Sequence, residues 1–419
     1  MQKNNWLRLG MAGIILSGLG AGTVLQGCGD DDVTPLDAGT DTATTTTIPT
    51  STGSVPDSSV PDTFVPPVPE SQKIIFVHAG NWMGASFENG PGPLAPLAGG
   101  VRLCLKAGPV GNNPFLPVPA LPNVAAAPVP VPALLPGTGG VLPARTDFST
   151  TRLEGFALSV QRLAAKAASL PDDAARTKFN NTPCGDLFGK GLDGDAAVPT
   201  DGGTNLVEGV DFLRVGVIEP GTFTPDATFV VTVQGCAPGY AEQAGVTAQM
   251  VADKCGATYA SATGNLKLKV QKVDRGAVGA TELGAQFIHA TTGAAPANPG
   301  VLPGGAVDGG ADAAAFKAFS TAAPVAYDAP ITPLVKLAGV SLTADALTVN
   351  PQAPIPPYSF ASAIAATAGK EPVALGKGNV FVLVGEGSLA VLTDPAAPAN
   401  RKLHFLAFPT NPVVPPLTQ

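Results

Sequence analysis

The stretch KIIFVHAG, residues 73–80, returns more than two hundred residues later as GAQFIHAT, residues 284–291. Both are short apolar runs that end in His-Ala and a turn, which is typical of buried strands. A catalytic pair would need each histidine beside a nucleophile or a carboxylate in a cleft. Here His78 and His289 instead recur at one strand position, two residues after Phe76 and Phe287. This recurrence favours one kind of domain built twice, with each histidine hydrogen-bonded to a neighbouring loop.

Further pairs of stretches follow in the same order. ATFVVTVQG (227–235) matches GNVFVLVGEG (378–387), and GNLKLKVQKVD (264–274) matches GSLAVLTDP (387–395). These runs predict strands that enter turns at glycine. KLHFLAF (402–408) then stands where a further opening strand is expected, with Ala407 at the position of the histidine.

Composition supports an all-β chain. Of its 419 residues 45% are hydrophobic and only 13% are charged, while Gly (50) and Pro (43) are abundant. This profile suits short strands joined by many turns. The net charge of −8 and the scattered basic residues leave no electrostatic footprint for nucleic acid, which we exclude as a partner.

The N-terminus resembles a bacterial lipoprotein signal. Lys3 and Arg8 precede an uncharged stretch that ends in Leu-Gln-Gly-Cys, residues 25–28. The resemblance implies cleavage before Cys28, lipidation of Cys28 and attachment to a membrane. The alternative is a single transmembrane helix, although its five glycines would weaken a helix. Residues 29–71 are rich in Thr, Pro, Asp and Ser and predict a disordered tether.

Four cysteines remain for the folded part, an even number suited to an oxidising compartment outside the cytoplasm. Three pairings are open in principle. Cys236 and Cys255 bracket one Gly- and Ala-rich stretch directly after a strong strand, so we predict that local bridge, with Cys104–Cys184 as the other. A zinc site is the rival interpretation, but there is no C-x-x-C motif and no histidine near these cysteines.

The opening strands, the closing pattern VFVLVGEGSLAVLTDPAAPANRKLHFLAF (380–408) and the lipoprotein signal together resemble a bacterial family. Its members are extracytoplasmic repeats known as domain of unknown function 4397. The resemblance covers residues 72–408 and implies tandem immunoglobulin-like β-sandwich domains. It supplies no activity, cofactor or catalytic residue.

The first copy is longer than the second because it carries insertions. A Pro-rich loop (108–147) is followed by a predicted helix, with Thr151 and Glu154 as a capping box and Pro171 beyond its end. The stretch between Cys236 and Cys255 is the last insertion. Such insertions either carry a repeated scaffold's individual function or are decoration, and the sequence leaves both open.

A Gly-rich loop, residues 191–205, offers a weak calcium candidate in Asp193, Asp195 and Asp201. The EF-hand spacing is absent, which favours a solvated loop and no metal. The chain has no G-x-S-x-G, H-E-x-x-H or P-loop motif, and it has only three histidines. We therefore expect no enzyme and no cofactor.

The predicted domain organisation has five parts. They are a signal peptide (1–27), the lipidated cysteine and tether (28–71), a first sandwich with one inserted helix (72–284), a second sandwich (285–408) and a tail (409–419). The expected function is a lipid-anchored envelope module for binding, adhesion or structure, at the outer membrane or cell surface, with an unknown protein or glycan partner. Alternatives are an envelope hydrolase with its site in the insertions and an assembly partner of another envelope protein.

Overall fold

A computed structural model describes the protein within the compact unit Pro66–Gln419. The described residues are 72–81, 99–107, 115–117, 123–124, 131–132, 134–141, 147–182, 184–188, 206–242, 246–290, 298–305, 316–320, 324–348, 358–360, 362–363, 378–386 and 404–410. The predicted signal peptide, Cys28, the tether and residues 411–419 of the predicted tail lie outside these residues, whereas Pro409 and Thr410 of that tail lie within them.

The described residues of the first repeat form ten strands and four α-helices inserted among them. Its strands are β1 Lys73–Asn81, β2 Val101–Ala107, β3 Phe115–Pro117, β4 Asn123–Val124, β5 Val131–Pro132, β6 Thr138–Val141, β7 Leu153–Ser159, β8 Phe212–Ile218, β9 Thr228–Cys236 and β10 Lys267–Val273. Its helices are α1 Val160–Ala168, α2 Asp173–Asn180, α3 Cys184–Phe188 and α4 Ala248–Cys255.

The second repeat consists of shorter strands in the same order. They are β11 Glu282–His289, β12 Gly300–Leu302, β13 Lys317–Ala318, β14 Val335–Ala338, β15 Ala346–Thr348, β16 Tyr358–Ser359, β17 Val380–Glu386 and β18 His404–Pro409.

Each repeat folds into two four-stranded sheets with matching strand order. The inner sheets run β10-β9-β1-β6 and β18-β17-β11-β14, and the outer sheets run β3-β2-β7-β8 and β13-β12-β15-β16. In each inner sheet the opening strand pairs in parallel with a late one, β1 with β9 and β11 with β17. The prediction of an all-β chain of sandwich domains is thus confirmed, and the repeat is visible in the topology.

Within each repeat the inner and outer sheets enclose a separate core. In the first repeat, Phe76 of β1 packs with Leu103 of β2 and Val231 of β9. In the second repeat, Phe287 of β11 packs with Leu347 of β15 and with strands β17 and β18. These clusters are the sandwich cores that the alternating apolar residues of the opening strands predict.

A third apolar layer joins the two repeats back to back. It is formed by residues of alternate parity on the same inner strands, which face away from the sandwich cores: Ile75, Val77, Ala79, Val230, Val273, Ile288, Ala290, Val382, Val384, Leu406 and Phe408. The inner strands are consequently apolar on both faces, which explains why β1 and β9 read as continuous hydrophobic runs. The stack of sheets is outer, inner, inner, outer.

The third sequence pair was assigned wrongly. The strand beside β17 in the position of β10 is β18, the stretch KLHFLAF, so GSLAVLTDP is not the counterpart of β10. Residues 387–395 lie outside the described residues. Ala407 pairs with Leu383 as Val270 pairs with Val231, and it therefore matches Val270 and not the histidine position.

The helix predicted from the Thr151–Glu154 capping box begins later than expected. Leu153–Ser159 forms strand β7, paired on both sides with β2 and β8, and the N-cap is Ser159, whose side chain accepts from Arg162 N. Residues 153–159 form a strand because their side chains pack on both sides of it. One set enters the sandwich core and the other packs against the helical insertion. Tertiary packing overrides the local capping signal.

We expect Val382→Ala to destabilise the unit by about 2 kcal/mol, because it removes two buried methyl carbons and leaves a cavity between the inner sheets. The measurement is urea unfolding followed by circular dichroism. Val217→Ala is the matched control, a strand valine that is 41% exposed, and its change should stay within about 0.5 kcal/mol. Equal effects of the two substitutions would contradict a tightly packed shared layer.

Candidate functional site

The inner strands give the unit two distinct ends. β1 and β9 are parallel neighbours over nine register pairs, from Lys73↔Thr228 to Asn81↔Cys236. We call the end with Lys73 and Thr228 the proximal end, because the chain from the N-terminus enters there, and the end with Asn81 and Cys236 the distal end.

The first insertion, residues 160–211, leaves and returns at the distal end. Its two flanks are joined by a hydrogen bond from Ser159 N to Asp211 O at 2.8 Å. Val160 N donates to Gly100 O at 3.0 Å, and Gly99 O contacts His78 Nε2 near the distal end of β1. The insertion is therefore anchored on the side of the sandwich opposite the incoming chain.

A covalent bond and an aromatic cluster hold the first insertion on the outer sheet. Cys104 of β2 is bonded to Cys184 of α3, with an S–S distance of 1.98 Å. The rings of Phe156, Phe188 and Phe212 surround this bridge, with centroids 4.9 to 6.1 Å apart. The central strands β2 and β7 of this outer sheet are thus buried on their second face as well.

Arg102 adds a polar attachment beside the disulfide. Its guanidinium lies on the same face of β2 as Cys104, is 8% exposed, and donates to Asn180 O at 3.0 Å and to Thr182 O. Burial lowers the pKa of Arg102 from its ordinary value. A cation at the last carbonyls of α2 offsets the negative end of the helix dipole and fixes α2 against the sheet.

The second insertion, residues 237–264, continues from the distal end of β9. Cys236 is bonded to Cys255 at the end of α4, with an S–S distance of 1.97 Å. Asn265 joins both sides of this bridge, because its Oδ1 accepts from Cys236 N at 2.8 Å and its Nδ2 donates to Cys255 O at 2.7 Å. Both disulfide pairs are those expected from the sequence, and each one ties an insertion to a strand of the first repeat.

His78 has a structural environment. It is fully buried, Nδ1 accepts from Gly80 N at 3.2 Å, and Nε2 therefore carries the proton and donates to Gly99 O at 2.8 Å. Desolvation lowers its pKa to about 4, although the bond to Gly99 acts in the opposite direction. Both ring nitrogens are engaged by backbone, so the ring joins β1 to the loop before β2.

The other two histidines lie within the same pair of inner sheets. His289, at the position of His78 in the second repeat, is buried with its ring edge-on to Tyr327 at 6.4 Å. His404 Nε2 contacts Gly137 O of the first repeat at 2.7 Å. All three rings are therefore buried within the scaffold.

We expect acid to weaken the fold through His78. The unfolded chain binds a proton near pH 6.5 and the folded chain only near pH 4, so stability is lost as the pH falls through this window. At about 1.4 kcal/mol per pH unit, the loss amounts to about 3 kcal/mol. Urea unfolding of wild type and His78→Gln at pH 7 and pH 4 measures it, since the variant should lack this part of the slope. Parallel stability curves for the two proteins would contradict it.

Asp328 connects the two repeats at the distal end. Its carboxylate lies 2.8 Å from both Lys267 Nζ and Lys269 Nζ of β10, and it accepts from Gln234 Nε2 of β9. Partial desolvation opposes ionisation, but the hydrogen bonds from both lysines outweigh it and lower the pKa of Asp328. Its φ of 63° is left-handed, a conformation that Asp and Asn tolerate. We call this arrangement the Asp328 clasp.

Asp328→Asn should destabilise the unit by about 1 kcal/mol at pH 7, because the ionic hydrogen bonds are lost at a partly exposed site. Because the pKa is lowered, the wild-type advantage exists above pH 3.8 and disappears as Asp328 is protonated at lower pH. Chemical unfolding across pH measures this.

Asp226→Asn is the matched control for this substitution. Asp226 is also left-handed, with φ 55°, and its carboxylate makes no ion pair among the described residues. Its replacement should leave stability within about 0.5 kcal/mol of wild type. A loss as large as that of Asp328→Asn would show that the backbone conformation, and not the clasp, is responsible.

The calcium candidates Asp193, Asp195 and Asp201 and the lipidation candidate Cys28 lie outside the described residues. Within the part of the chain that is described, no three His, Cys, Asp or Glu side chains form a group suited to a metal ion. No helix among these residues has the length and apolarity needed to cross a membrane. The Asp328 clasp was missed at the sequence level, because no motif marks a turn that meets β10 only after folding.

A scan against models of known protein families finds no match to this chain, and a search of curated proteins likewise finds none. The resemblance to the extracytoplasmic repeat family thus stays a prediction based on the sequence motifs.

Proposed function

We propose that this protein is a lipid-anchored cell-envelope module that presents its two insertions to a protein or glycan partner. The observation that carries the proposal is that the first repeat has its chain entry and its insertions at opposite ends. The chain from Cys28 enters at the proximal end, whereas both insertions are anchored at the distal end. An anchored module with this arrangement directs the connections of its two insertions away from the membrane.

The attachment of the insertions supports a binding role. Each is fixed by a disulfide, and the first also by the buried Arg102 and the aromatic cluster. Preorganised surfaces bind with a smaller loss of conformational entropy than surfaces that become ordered on contact. The predicted tether, residues 28–71, would set the module roughly 40 Å from the bilayer as a random coil. Binding sites commonly lie on segments held by a rigid scaffold, which is the arrangement proposed for this immunoglobulin-like tandem.

Surface substitutions at the two ends test where the partner binds. Ala168→Arg in α1 and Ala257→Arg after α4 enlarge exposed positions on the insertions. Ala277→Arg and Ala280→Arg do the same at exposed positions near the proximal end. We expect the first pair to reduce saturable binding of the purified chain to isolated cell envelopes, because the side chains obstruct the contact surface. The second pair is the matched control, and equal binding by all variants and wild type would contradict the proposal.

The anchor is tested separately by Cys28→Ser. We expect the wild-type chain to fractionate with membranes and to incorporate a labelled fatty acid, and the variant to lose both properties because no thiol accepts the lipid. Gly29→Ala, which leaves the Leu-Gln-Gly-Cys box intact, is the control. Protease treatment of intact cells then shows whether residues 73–402 face outward. Membrane retention of Cys28→Ser without a lipid label would favour a transmembrane anchor instead.

A further inference from the structure

The strand that receives the chain from the predicted anchor is held on every side. β1 lies between β9 and β6 in its sheet, with nine register pairs to β9 and four to β6. One face of β1 enters the core of the first repeat and the other enters the layer between the repeats. At its first residue, Lys73 Nζ donates to Pro409 O of the second repeat at 2.6 Å. Both repeats thus secure the point where the chain enters.

The second insertion continues from the neighbouring strand at the opposite end. β9 runs parallel to β1, and Cys236, its last residue, pairs with Asn81, the last residue of β1. The disulfide to Cys255 and the hydrogen bonds of Asn265 fix the insertion directly to this end of β9. A force between the anchor and the second insertion therefore pulls β1 from its start and β9 from its end.

This geometry determines how the hydrogen bonds carry a load. When adjacent parallel strands are pulled from opposite ends, the force acts along the strands and all the ladder hydrogen bonds between them share it. When strands are pulled apart from the same end, the force acts on one pair of residues at a time. Rupture under force depends on the unfolding barrier and not on equilibrium stability, so the direction of loading changes the resistance of the same fold.

We propose that the first repeat is a force-bearing link, in which the β1–β9 ladder is a mechanical clamp between the membrane tether and a partner bound to the second insertion. The proposal rests on the proposed function, since it takes the anchor and the bound partner as the two sources of load. It adds a mechanical activity and places the contact with the partner on the described residues of the second insertion, 237–242 and 246–264. The first insertion, which is attached through β7 and β8 of the outer sheet, does not load this ladder directly.

Single-molecule pulling of the same protein through two different pairs of attachment points tests the clamp. The chain is produced without lipid and held through the thiol of Cys28. The second handle is attached through p-azidophenylalanine at Ala248 in the second insertion, or at Ala277 near the proximal end. Both positions are exposed. We expect the first rupture force at one loading rate to be several-fold higher with Ala248 than with Ala277, because only Ala248 loads the ladder along the strands.

The comparison does not depend on the stability of a variant, because far-ultraviolet circular dichroism verifies that both labelled chains are equally folded before pulling. Equal rupture forces, or a higher force with Ala277, would overturn the clamp and leave the anchored display function intact. Loss of lipidation in the Cys28→Ser experiment is a separate outcome that bears on the anchor. The two proposals can therefore fail independently.

Discussion

The apolar layer between the two inner sheets is the constraint on which the rest of the structure depends. A sandwich standing alone needs one apolar face per sheet, whereas β1, β9, β11 and β17 have two. Exposed to water, the second faces would form a large apolar patch, and burial of each against the other removes it. Three polar contacts also join the two repeats and fix how the inner sheets align: the Asp328 clasp, Lys73 with Pro409 and His404 with Gly137.

Because the inner sheets are buried on both sides, the surfaces left for recognition are displaced from the sheets to their ends and to the insertions. The central strands of the outer sheet of the first repeat are covered in turn by the helical insertion. The three histidines fit this arrangement, because each ring is buried in the scaffold and contacts either a backbone carbonyl or an aromatic ring. The distal end combines exposed segments with rigid support.

Features encoded by local pattern were predictable, and features decided by distant partners were not. The apolar runs at residues 73–80, 227–235 and 284–289 form strands as predicted, and both cysteine pairs follow from an even count and one short bracketed stretch. The capping box at Thr151 misled because β7 lies between two strands and two cores, which no local signal reports. Likewise, β18 resembles an opening strand such as β1 in sequence. Its antiparallel pairing with β17 instead makes it the counterpart of β10, the last strand of the first repeat. The sequence did contain one signal for the back-to-back contact: strands such as β1 and β9 have apolar residues at both odd and even positions, and therefore on both faces.

The parallel pairing of β1 with β9 also governs the order of events during folding. Residues 73 and 228 must meet before the opening strand has its main partner, and β6 offers only four register pairs in the meantime. Contacts between residues so far apart in sequence close slowly, because the loop entropy is lost before the pairing compensates for it. KIIFVHAG therefore lacks its longest pairing until residues 228–236 reach it, and the inner sheet of the first repeat is completed late in folding.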